Sequence, residues 1–326
     1  MSLIHLCMTT DAYPRTWKIL LAFAIIYFVW GSTFLAIRVG VAEVPPFLLA
    51  GMRFLAAGVV LFAWVRVKGT PFPTIREWGS ATLLAVLIFV MDYGLLFWAE
   101  QRVPSGIAAV MMATIPVFMT LSEILIMKTQ RLTVRLGGAL LIGLAGVAVL
   151  VSRSASFGDA PIDAIGAGAL IVAAISWSVG SALTRKLPLP ASKAMSSGAQ
   201  MLAGGVLLTV TAGVLDEFRG FHAETVSLKA WLSLAYLIVA GSIVAFTAYV
   251  WLIHHESPTR VGTYAYVNPV VAVVLGYLVG GESIGVRTIV GSVCVLVSVV
   301  VITTTPKTTK TQVAVVEEKS AEAVSS

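Results

Sequence analysis

Residues 30–58 read WGSTFLAIRVGVAEVPPFLLAGMRFLAAG, and residues 177–205 read WSVGSALTRKLPLPASKAMSSGAQMLAGG. Aligned at a shift of 147 residues, Trp30 falls on Trp177, Arg38 on Arg185, Gly51 on Gly198, Leu55 on Leu202, Ala56 on Ala203 and Gly58 on Gly205. Beyond this stretch a six-residue insertion moves the shift to 153, where Trp98 meets Trp251, Pro116 meets Pro269, Val117 meets Val270 and Gly138 meets Gly291. Rare residues in register over such a length mark an internal repeat.

What the repeat unit contains follows from composition. Of 326 residues, 58% are hydrophobic and 12% charged, and the mean hydropathy is +0.94. A soluble domain carries about 25% charge, so this chain cannot cover a water-facing surface. A cytosolic enzyme, a disordered chain and a secreted disulfide scaffold are excluded on that ground. Ten apolar segments follow one another, near 17–38, 47–66, 79–98, 105–126, 133–151, 164–184, 194–215, 230–251, 261–280 and 286–304. Each approaches the roughly 20 residues that a helix needs to cross a bilayer. The reading is an all-α polytopic membrane protein whose ten transmembrane helices form two five-helix repeats. Five is odd, so the second repeat enters the membrane from the opposite side. That is the inverted-topology repeat of secondary transporters.

Loop charge orients the chain. With the N-terminus inside, the inner segments hold Arg15, Lys18, Arg66, Lys68, Arg76, Lys128, Arg131, Arg135, Arg185, Lys186, Lys193, Arg260, Lys307, Lys310 and Lys319, which is fifteen cations. The outer segments hold Arg38, Arg102, Arg153, Arg219, Lys229 and Arg287, which is six. Positive charge gathers on the cytoplasmic side, so both termini are expected in the cytoplasm of a cell whose inner membrane holds the protein. Residues 1–16 form a cytoplasmic arm, 17–151 and 164–304 the two repeats, and 305–326 a polar, Thr/Ser/Ala-rich disordered tail. The first apolar run is too long for a signal peptide and no small-residue cleavage site follows it. The net charge of +6 is explained by this loop asymmetry, and no nucleic-acid partner is expected. Cys7 and Cys294 suggest no disulfide, no Cys/His spacing suggests a metal, and no cofactor is expected.

Several motifs also resemble a family. Trp30-Gly31-Ser32-Thr33, then Pro45-Pro46, then Arg53-Phe54-Leu55-Ala56-Ala57-Gly58 are similar to the first two helices of the EamA family of the drug/metabolite transporter superfamily. Ala99-Glu100 through Val103-Pro104-Ser105-Gly106-Ile107 to Pro116 resembles its fourth helix, and Tyr264 through Ala272 with Gly281-Glu282 its ninth. The chain departs from the repeat at Glu282, matched in the first half by Thr129, and from the family in carrying Asp92. Within the family the resemblance is to YedA-type inner-membrane permeases. It implies a ten-helix exporter of amino acids or related small metabolites.

Candidate functional residues are the polar and aromatic groups at depth. Pro116 and Pro269 interrupt helices at equivalent repeat positions, about 18 Å into the span for Pro116, and mark a gate or a helix kink beside a central site. Arg53 and Asp92 are ionisable groups inside spans, which are costly in lipid and face partners or water. Both lie about 10 Å from the same membrane edge. Their repeat counterparts, Gln200 and Ala245, are uncharged. Arg53 and Asp92 are therefore read as a candidate ion pair. Arg53 is alternatively a carboxylate binder, and Asp92 a proton-coupling site. Trp30 and Trp177 lie about 20 Å deep, too deep for interfacial anchors. With Tyr93, Tyr264, Tyr266 and Asn268 they suggest a small-molecule pocket. Gly276 with Gly280, and Ala139 with Gly143, are small-residue pairs that bring helices close, within a monomer or across a homodimer.

These residues fit a transporter that works by alternating access. The rival readings are a flippase for a lipid-linked substrate and, in a different class, an integral-membrane enzyme or receptor. The four histidines lie in terminal or loop positions and form no catalytic cluster, so no enzyme is expected.

Overall fold

A computed structural model describes residues 16–125, 132–151, 163–184, 186–255, 261 and 264–304. The expected N-terminal arm and C-terminal tail lie outside them. So do Arg185 and the side chains of Glu123, His254 and Tyr266.

The described residues are helical, with no strand. Helix α1 spans Thr16–Val41, α2 Pro46–Val67 and α3 Ile75–Ala99. Two shorter pieces follow, α4 at Ser105–Met112 and α5 at Ile115–Leu125. Next come α6 at Val134–Val151, α7 at Ala164–Leu183 and α8 at Lys193–Val214. Helix α9 runs through Leu228–Tyr236, Leu237–Val244 and Ala245–His255. Helices α10, Tyr264–Leu278, and α11, Val286–Thr304, complete the set. Seven of the helical runs are long and apolar enough to cross a membrane, Ser105–Ser122 counting as one, and three more are shorter but equally apolar.

The bundle is dressed for lipid. Leu20, Phe28, Val60, Val210 and Val293 point outward, while Arg53, Asp92, Glu100, Gln200 and Asn268 are buried. Polar groups inside and apolar groups outside invert the arrangement of a water-soluble protein.

Element boundaries follow the sequence repeat. Helices α2 and α8 begin and end 147 residues apart, at 46 and 193 and at 67 and 214. Each closes on a left-handed residue at the equivalent place, Gly69 (φ 85°) and Asp216 (φ 61°). The next amide in each, Thr70 and Glu217, reaches back to Val65 and Ala212, the helix stop that favours glycine. Thr74 caps α3 in a capping box with Glu77, and Ser227, 153 residues on, caps α9. Both capped helices then widen into π-helix, at Ala85–Gly94 and at Leu237–Val244.

The two halves interlock rather than stand side by side. Helix α2 packs along α8, α6 along α11 and α1 along α10. At the α2–α8 seam Gly51 faces Thr209, Gly58 faces Leu202, Leu55 faces Gly205 and Phe62 faces Gly198. Numbers rise on one helix as they fall on the other, so these repeat-matched helices run antiparallel. A Cβ on Gly58 would stand 2.6 Å from the Leu202 backbone nitrogen, and one on Gly205 would overlap the Leu55 backbone. Glycine is required there because two backbones touch.

The small-residue pairs resolve as contacts within one chain. Ser298 on α11 donates to the Ala139 carbonyl at 2.6 Å and lies against Gly143. Gly276 lies against Glu282 and Ser105, and Gly280 against Leu35.

Candidate functional site

A half-open cavity, about 630 Å³ when the space at its open side is included, lies between α1, α3, α4, the start of α5, α7 and α10. Both halves build it. Trp30, Thr33, Asp92 and Tyr93 come from the first, and Trp177, Tyr264, Asn268 and Pro269 from the second. Phe34, Ile37, Leu96, Ala109, Met112 and Ile115 complete a mostly apolar wall. Seven of the residues singled out from sequence, Trp30, Asp92, Tyr93, Trp177, Tyr264, Asn268 and Pro269, thus meet around one space.

The aromatic side chains are fixed in pairs. Trp30 meets Tyr264 edge to face at 5.2 Å, and Tyr93 meets Trp177 edge to face at 5.9 Å. Such contacts add about 0.5–1.5 kcal/mol beyond area burial. The Trp30 indole donates to the Gly241 carbonyl at 3.1 Å. That carbonyl belongs to the widened turn of α9, where wide turns free backbone groups for other partners. In the other wide turn the Leu87 carbonyl accepts from Ser176 at 2.8 Å. Thr33 Oγ1 donates to the Trp30 carbonyl at 2.6 Å, and Asn268, with its amide turned to the orientation that its neighbours satisfy, donates to the Tyr27 carbonyl at 2.9 Å.

Arg53 and Asp92 do not form the expected ion pair. Arg53 turns toward α9, where its Nε donates to Ser242 Oγ at 2.8 Å. Its guanidinium lies over the rings of Phe54 and Tyr93 at 4.7 and 5.2 Å. It is 1% exposed and is not part of the cavity wall. Asp92 belongs to the π-helical stretch of α3 and faces the cavity, and its Oδ1 has no hydrogen-bond partner. Equal depth fixes a level and not a face: Arg53 turns toward α9, whereas Asp92, within the π-helical stretch, faces the cavity.

The two prolines also differ. Pro269 stands inside α10 and lines the cavity. Pro116 does not kink a continuous helix, because α4 ends at Met112 and Pro116 sits in the first turn of α5. There its missing N–H removes no helix bond. Thr114 stitches the break, its amide and hydroxyl both donating to the Met111 carbonyl at 3.1 and 2.6 Å. Ser178 on α7 donates to the Ile115 carbonyl at 3.1 Å.

Three carboxylates join the halves, Glu43 and Glu217 unmarked by any sequence signal and Glu282 marked only as a departure from the repeat. Glu282 accepts from the amide and hydroxyl of Ser105, both at 2.7 Å, and from the Gly106 amide at 3.1 Å. Glu217 accepts from the Leu48 and Phe47 amides at 2.8 and 3.4 Å. Glu43 accepts from the amide and hydroxyl of Ser227 at 2.6 and 2.7 Å. Each caps a helix N-terminus in the opposite half, where unpaired amides and the helix dipole favour an anion. Ser227 donors hold the Glu43 carboxyl below the usual range, whereas burial raises that of half-buried Glu217. Only their distance in sequence hid them. Glu100 is fully buried, its backbone carbonyl held by Arg38 and its carboxylate oxygens without a hydrogen-bond partner. Among the described residues no group of three or more His, Cys, Asp and Glu is placed to hold a metal.

Known proteins resemble this chain along most of its length. The model of the EamA-like transporter family matches twice, over residues 16–152 and 164–304. The uncharacterized inner membrane transporter YedA of Escherichia coli is 39% identical, over 79% of this chain and 82% of its own. A chloroplastic WAT1-related protein of Arabidopsis thaliana is 26% identical, over 84% of this chain and 66% of its own. A solved protein crystal structure shares the fold with a TM-score of 0.60 at 22% identity, covering 88% of this chain and 96% of that one. A helical bundle dressed for lipid, with a cavity at its centre and one family model matched in each half, is a membrane transporter, and the chain belongs to the EamA-like transporter family.

Proposed function

We propose that the protein exports small metabolites, amino acids or related compounds, across the cytoplasmic membrane by alternating access. The observation that carries this reading is the cavity walled by residues of both halves. A site shared between two interlocked halves changes shape when one half rocks against the other. In this reading ten helices cross the bilayer as two inverted fives, with both termini in the cytoplasm. The antiparallel α2–α8 seam and the fifteen-to-six distribution of loop cations support that arrangement. The break between α4 and α5, and Pro269 in α10, give the cavity wall two places to bend.

The test is flux into proteoliposomes, screened over amino acids and related metabolites with and without a pH gradient. Saturable counterflow lost in Trp177→Ala supports the reading. Scrambling of labelled lipid, with no counterflow of any small metabolite, replaces it with a flippase.

A further inference from the structure

Among the described residues that line the cavity there is one carboxylate, Asp92, and no cation. Asp92 is 2% exposed, lines the cavity, and leaves Oδ1 without a hydrogen-bond partner. A buried carboxylate without a partner is among the most costly groups a fold can hold. Arg53 is not among the lining residues: its Nε donates to Ser242, its guanidinium lies over the rings of Phe54 and Tyr93, and its Nη1 has no hydrogen-bond partner. The same wall carries two edge-to-face aromatic pairs, Trp30 with Tyr264 and Tyr93 with Trp177. Aromatic faces attract cations, tryptophan most strongly, by about 0.5–2 kcal/mol each. Several donors that would greet an anion are spent inside the wall. The Trp30 indole holds Gly241, the Thr33 hydroxyl holds Trp30, and the Asn268 amide holds Tyr27.

We infer that the cavity recognises the ammonium group of an organic amine, with Asp92 as its counter-ion and the rings of Trp30, Tyr93, Trp177 and Tyr264 as its cage. This names the substrate class for the transport reading and rests on it. An incoming ammonium gives Asp92 a charge-assisted hydrogen-bond donor and removes the cost of an unpaired charge. A quaternary ammonium satisfies the charge and the rings but not the hydrogen bond, so it binds more weakly than a primary amine of like size. A carboxylate on the same frame meets Asp92 as a like charge and is rejected.

The test uses purified full-length protein in detergent and three probes of one shape: 2-phenylethylamine, 2-phenylethanol and 3-phenylpropanoate. Binding is read by calorimetry and by the fluorescence of the cavity tryptophans. The amine is expected to bind at least tenfold tighter than the alcohol, and the propanoate not measurably. Asp92→Asn removes the advantage of amine over alcohol, Asp92→Glu keeps part of it, and Gln200→Ala leaves it unchanged. Equal binding of amine and alcohol, or tighter binding of the propanoate, overturns the inference from the native protein alone, whatever the variants do. An unchanged amine affinity in Asp92→Asn overturns it as well. Because these are binding measurements in detergent, they stand apart from the flux assay. Amine preference without flux spares this inference and fails the transport reading, and flux with propanoate preference does the reverse.

Discussion

The two halves share a frame but not a chemistry. Helices α2 and α8 have the same length, the same left-handed stop and the same glycines at matched places. The capped, widened helices α3 and α9 repeat one design. Yet Arg53 and Asp92 of the first half face Gln200 and Ala245 in the second, and Pro116 opens a helix where Pro269 stands within one. Matched features set backbone contact and helix ends, where both halves meet the same constraint. Of the unmatched residues Asp92 reaches the cavity, where a single asymmetric ligand gives no reason for symmetry.

The largest expected effect lies in the frame. Gly58→Ala and Gly205→Ala each force a Cβ into the opposing backbone and should each destabilise the protein by on the order of 3 kcal/mol. Gly168→Ala, whose Cβ meets nothing within 4 Å, should change it by less than about 0.5 kcal/mol. Thermal unfolding in detergent checks this, and very unequal losses at Gly58 and Gly205 would break the symmetry of the seam.

The asymmetry is sharpened at the cavity. Asp92→Asn should weaken amine binding at least tenfold, about 1.4 kcal/mol or more, while Gln200→Ala should leave it unchanged. Gln200 Nε2 only bonds Ser196 one turn away on its own helix, at 3.0 Å.

Next in size are the carboxylates that tie the halves together. Glu282→Ala uncaps α4 and should cost about 1 kcal/mol, with Glu282→Gln costing less because its amide oxygen still accepts. Unfolding temperatures of the two variants check the order.

The smallest effect separates two of these ties by pH. The Glu217 carboxyl is raised by burial and the Glu43 carboxyl lowered by its Ser227 donors. As pH falls, Glu217 therefore takes a proton first and loses its hold on α2 while Glu43 still holds α9. Amide exchange, expressed as protection, should fail at Leu48 at a higher pH than at Ser227. The opposite order would contradict the assigned causes.

Much of this was legible in sequence because it is local or periodic. Trp30 and Trp177, expected from sequence at a pocket rather than as anchors, both line the cavity, and the repeat at Gly51, Gly58, Gly198 and Gly205 falls on residues that only glycine can supply at a backbone seam. The carboxylate ties were illegible because Glu43 and Ser227 are 184 residues apart, and only folding brings them together. The Arg53–Asp92 pairing failed for a local reason. A π-helical stretch has no composition of its own here, so helical spacing could fix depth but not the face on which Asp92 emerges. Pro116 marked the interruption of its span, but not that the helix stops at Met112 and restarts at Ile115 rather than bending at the proline itself.

If substrate crosses through the cavity between the halves, Ala113, which lines it at the break before α5, is reached from both sides in turn. In a background lacking Cys7 and Cys294, Ala113→Cys can be probed in oriented vesicles with a membrane-impermeant thiol reagent. Labelling is expected from either face, with bound substrate shielding the site from both. Labelling from one face only, unchanged by any substrate that the protein moves, would contradict it.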